Sequence, residues 1–121
     1  MRLIYAPRVR NDFALLESRK EQGFLVNVIG ILKAEQYPVG LFARIRVESK
    51  PWKELQREGY GIHLLKVLDP PSIYRVIYMV DDPHDVVYVM NVQHRSVDYK
   101  NATDIKDIYL DYFNNKRWRD G

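Results

Sequence analysis

The chain has 121 residues, 46% hydrophobic and 29% charged, and contains no cysteine. That length and composition fit one globular domain with a real core. They exclude a disulfide framework, a cysteine nucleophile and a cysteine zinc site. The net charge of +3 and the pI of about 9.1 lean toward an anionic partner without identifying one.

No apolar run approaches the ~20 residues that a membrane span needs. The start, Met1 to Pro7, gains charge too early for a signal peptide. The expectation is a cytoplasmic protein with no membrane partner, organised as a single domain over 1–121. Residues 2–6 alternate around Leu3 and Tyr5 and read as a first strand. Pro7 suits a helix start, and Val9, Phe13 and Leu16 share one face of a helix over 9–20. Gly23 reads as a break or tight junction. Leu25, Val28, Ile29 and Leu32 then mark a second amphipathic helix, so a helical hairpin is expected.

Tyr37-Pro38-Val39-Gly40 ends that hairpin. Residues 41–48 alternate apolar and charged from Ala43 onward and read as a half-exposed strand or extended segment. Ser49-Lys50-Pro51-Trp52 reads as the start of a short helix that stops at Gly59. Three runs rich in Val, Ile, Leu and Tyr follow, at 61–68, 73–80 and 86–93, joined by Asp69–Ser72 and Asp81–Asp85. These predict an antiparallel meander whose last two strands are central and covered on both faces. Ile105, Ile108, Tyr109, Tyr112 and Phe113 give a final helix, capped by Asn101 or Thr103, and a basic tail follows it. The fold class expected is α+β. An N-terminal strand and two-helix hairpin pack on a mostly antiparallel curved sheet, and 101–121 adds a C-terminal helical extension.

No metal-site or phosphate-loop spacing is present, so no metal and no cofactor are expected. Asp81-Asp82 is the only adjacent carboxylate pair beyond single residues and is explained by turn chemistry. What remains is a basic and aromatic group on the meander: His63 and Lys66, then Tyr74 and Arg75, then His94, Arg95 and Tyr99. Such a set has what RNA cleavage without a metal requires. A 2′-hydroxyl must lose its proton, the crowded phosphate must be neutralised, and the leaving 5′-oxygen must gain a proton. A guanidinium suits the phosphate because it binds bidentately and stays charged. His and Tyr suit the proton transfers, and Tyr99 also suits stacking on a base. The plainer readings are a satisfied strand residue at His63, a snorkelling Lys66, an Arg75–Asp98 ion pair, and a solvent-facing His94-Arg95 pair.

Tyr74-Arg75-Val76-Ile77-Tyr78, the strand Val86–Val92, and His94-Arg95-Ser96-Val97-Asp98-Tyr99 together resemble the C-terminal half of the RelE/ParE toxin superfamily. Pro7-Arg8-Val9-Arg10-Asn11-Asp12-Phe13 is similar to that family's first-helix start. The resemblance covers roughly 1–36 and 50–100. It implies a type II toxin neutralised by a cognate antitoxin protein in a hetero-oligomer. For RelE-like members it implies a metal-independent endonuclease that cuts mRNA on the ribosome. By the same resemblance Arg75, Arg95, Tyr99 and His94 take the catalytic positions. Lys50, Lys53, His63 and Lys66 take RNA-binding ones. ParE-like members inhibit gyrase and need no nuclease chemistry, and a non-catalytic binding module on the same fold is a further alternative. The sequence departs from the pattern in a long 37–58 segment and in the helix after residue 101.

Overall fold

The computed structural model describes residues 1–16, 18–69, 71–94 and 102–114. The elements in chain order are β1 (Arg2–Tyr5), α1 (Val9–Ala14), α2 (Arg19–Ala34), β2 (Val39–Phe42), β3 (Ile45–Pro51), α3 (Lys53–Arg57), β4 (Ile62–Asp69), β5 (Pro71–Asp81), β6 (Val86–His94) and α4 (Ala102–Asn114). A 3-10 turn, Asp82–His84, joins β5 to β6.

Among the described residues the strands form one sheet in the order β1-β6-β5-β4-β3-β2. Only β1 runs parallel to its neighbour; the remaining pairs are antiparallel. The meander and its central β5 and β6 are thus as expected, and both strands are buried along most of their length.

Strand alternation divides the sheet into two faces. One carries Leu3, Val47, Leu65, Val76, Tyr78 and Val89 by register. This is the face toward α2, whose Leu25, Val28, Ile29 and Leu32 are buried. The Tyr78 hydroxyl reaches the end of the α2 segment, donating to the Gln36 carbonyl at 2.6 Å and bonding Ser49 Oγ. A buried phenol is tolerable because both of its hydrogen-bonding capacities are used.

The opposite face is divided along its length. α4 covers one end: Tyr112 packs its ring 4.6 Å from Tyr88 and donates to Asp81, which also holds His84 Nδ1 at 2.7 Å. Tyr109 meets Tyr60 edge-on, and Lys106 pairs with Glu58 at 2.7 Å. The aromatic stripe of the last helix is therefore packing within the domain. The other end of this face carries charge.

Three expectations about the elements fail for local reasons. Gly23 lies inside α2, and the two helices part earlier, α1 ending at Ala14 and α2 beginning at Arg19. Ser18 accepts the Glu21 N–H at 3.1 Å and so is the N-cap that starts the helix. Residues 41–48 are two strands, because Ala43 and Arg44 both take positive φ (47° and 70°), the geometry of a two-residue hairpin turn. Ser49 to Pro51 belongs to β3, and α3 begins only at Lys53. Gly59, at φ 92°, ends that helix as expected.

Candidate functional site

The charged end of the α4-side face is built by cross-strand register. Arg75 on β5 lies opposite Lys66 on β4, and Lys66 lies opposite Glu48 on β3. Opposed Cβ atoms in such pairs stand about 5 Å apart, so the three side chains are neighbours across three strands. With Lys50 and Leu68 they line a hollow of about 380 Å³. Lys50 also lines a second hollow of about 470 Å³ with Trp52, Lys53 and Leu64, so the two recesses adjoin. The result is a furrow running from Arg75 past Lys66 and Lys50 to Lys53.

Arg75 is only 7% exposed and forms the floor. Lys50 is exposed and pairs with Glu48, Nζ to Oε1 3.1 Å. A pair with its lysine half-exposed contributes little to stability, because water screens it and side-chain entropy opposes it. Its importance is positional: it holds the Glu48 carboxylate among Lys50, Lys66 and Arg75, while Glu54 lines the far end. Glu48 was passed over in the sequence. The period-2 spacing of Glu48 and Lys50 was visible, but only the β3–β4 register brings them to Lys66.

Other candidates lie elsewhere. His63 points to the α2 side with Tyr78, its register partner. Its ring stands 4.6 Å from Tyr37 and 5.8 Å from Tyr78. Burial there pushes its pKa below the ordinary histidine value. Burial likewise raises the Tyr37 and Tyr78 phenols. One residue of alternation separates His63 from Leu64 and the furrow, so the structure does not bring it to Arg75. His94 is described as backbone, where it pairs with Tyr74 beside Arg75. Gln93 is the register partner of Arg75. Arg95 and Tyr99 lie outside the described residues, as does Asp98.

A supporting contact ties α1 to this part of the sheet. Beyond the end of β1, Asp12 on α1 accepts the Val92 N–H at 3.1 Å and the Asn91 amide at 2.8 Å. Burial raises the Asp12 carboxyl, although those two bonds and Arg8 oppose the shift. Asp12 thereby takes the backbone partner that β1 no longer supplies to β6.

Among the described residues no three of His, Cys, Asp and Glu gather as a metal-binding group. Among them, too, no helix is long and apolar enough to cross a membrane.

No protein-family model matches the chain, and no curated protein matches it. Solved structures do. A chain of the toxin–antitoxin complex RelBE2 from Mycobacterium tuberculosis is 25% identical with a TM-score of 0.57, over 78% of this chain and 96% of that one. A chain of the archaeal RelE–RelB complex from Pyrococcus horikoshii is 20% identical with a TM-score of 0.53, over 80% and 97%. The parallel first strand, the helical hairpin and the antiparallel meander thus form, in this chain, the fold of a RelE-like toxin.

Proposed function

We propose that this chain is a RelE-like toxin that cuts ribosome-bound mRNA without a metal, and that a cognate antitoxin protein neutralises it. The observation that carries the proposal is the position of Arg75 on the floor of a furrow with Lys66 and Lys50. Both structural neighbours come from toxin–antitoxin complexes, which supports the partner.

In this reading the guanidinium of Arg75, joined by Arg95, neutralises the phosphate as the 2′-oxygen attacks phosphorus. Cationic donors fixed before the reaction stabilise that charge without reorganising. His94 and Tyr99 exchange the protons, taking one from the 2′-hydroxyl and giving one to the departing 5′-oxygen. Glu48, in the same furrow, adds a further carboxylate able to accept the first proton. Lys50, Lys53 and Lys66 hold the RNA backbone through charge, a contact that carries no sequence information. His63 then supports the fold from the other face and does not touch RNA. The ribosome supplies orientation, which for such chemistry is a large share of the rate.

Mapping mRNA 5′ ends by primer extension after brief induction tests the reading. The expected result is new ends inside coding regions within minutes, with DNA intact. DNA damage and filamentation before protein synthesis stops, with no new mRNA ends, overturns it in favour of a gyrase-inhibiting toxin.

A further inference from the structure

We infer that the free edge of β2 is a docking strand for a second copy of this chain. β2 ends the sheet, so its outer backbone edge has no strand beside it among the described residues. Sheet edges are normally protected by charge, proline, a bulge or a covering element. Between Val39 and Phe42, β2 has neither a charge nor a proline. Val39 is 69% exposed and Leu41 is 64% exposed, on one face of the strand. Tyr37, two residues earlier, is 50% exposed. The opposite edge strand, β1, is different: it carries Arg2, and α1 follows it directly.

Charge selects a second copy as the occupant. The strand is acidic at its entry, where exposed Glu35 closes α2, and basic at its exit, where exposed Arg44 forms the turn. Neither is in an ion pair among the described residues. Two copies of β2 pairing antiparallel about a twofold axis place the entry of each beside the exit of the other. Val39 then faces Leu41 of the second copy on a shared face, and the end of the strand nearer Glu35 meets the end nearer Arg44 twice. A parallel arrangement of the same strand sets like charges together. An axis perpendicular to the sheet also leaves both furrows on one side of a continuous twelve-stranded sheet.

A four-residue edge buries little area, well under the ~1,200 Å² of a stable interface, so the association is weak. Sedimentation of the purified full chain across about 1–200 µM is the test, with a dissociation constant on the order of 10–100 µM expected for so small a contact. Leu41→Lys abolishes the dimer. Glu35→Arg and Arg44→Glu each weaken it by roughly tenfold through paired like charges, and the double reversal restores it. Circular dichroism checks that each variant folds, and the two charge variants test the claim even if Leu41→Lys does not fold. A wild-type chain that stays monomeric throughout overturns the inference. So does a dimer indifferent to all three substitutions, or capture of a different protein by this edge in a monomer.

Discussion

Arg75 and His63 differ by one step of strand alternation in what they can reach. Arg75 faces Lys66 and the furrow; His63 faces Tyr37 and Tyr78. The His63 environment has a consequence for stability. Because burial lowers its pKa in the folded state, the unfolded chain takes up the proton first as pH falls. The contribution of a neutral His63 is full above about pH 6.5, the unfolded value, and is lost below it until the folded ring itself titrates. Thermal melts from pH 7.5 to 5 should show a falling midpoint for the wild type and a shallower fall for His63→Phe. Equal slopes would assign the acid sensitivity to other groups.

At the scale of elements, the helices and strands were legible wherever a local signal fixed them. The 3.6-residue period of α2 and α4 and the β-rich runs of the meander were such signals. The helical hairpin is legible too, but its joint is not, because Gly23 looks like punctuation while Ser18 caps α2. Ser18→Ala removes the cap and should cost about 1 kcal/mol, lowering the melting temperature by a few degrees. Restoration by Ser18→Asp, checked in the same melts, would identify the loss as capping. The β2–β3 hairpin was illegible for another reason. Ala43-Arg44 lacks the Gly, Asn or Asp that usually supplies positive φ, and only the pairing of the flanking strands pins the turn there.

Across the whole molecule, the cationic residues of the furrow were named from the sequence, but their meeting was not. Arg75 and Lys66 are neighbours because β4 and β5 pair in one register, and a one-residue slip would send Lys66 to the α2 side. Glu48 entered the furrow by the same register and was missed for lack of it. Lys50 and Lys53 come only from resemblance, and both line the recesses of the furrow. Among the described residues α4 packs on one end of the same face and the other end carries the charged residues, so the sheet has a structural half and a charged half.

The claim that this charged half works on phosphate is tested most directly by timing mRNA cleavage on programmed ribosomes with purified wild type and Arg75→Ala, both verified as folded by circular dichroism. The account predicts specific cuts by the wild type and a loss of about 10²-fold or more in rate for the variant, the scale for removing a fixed charge-stabilising donor. Cleavage by Arg75→Ala at the wild-type rate would contradict it.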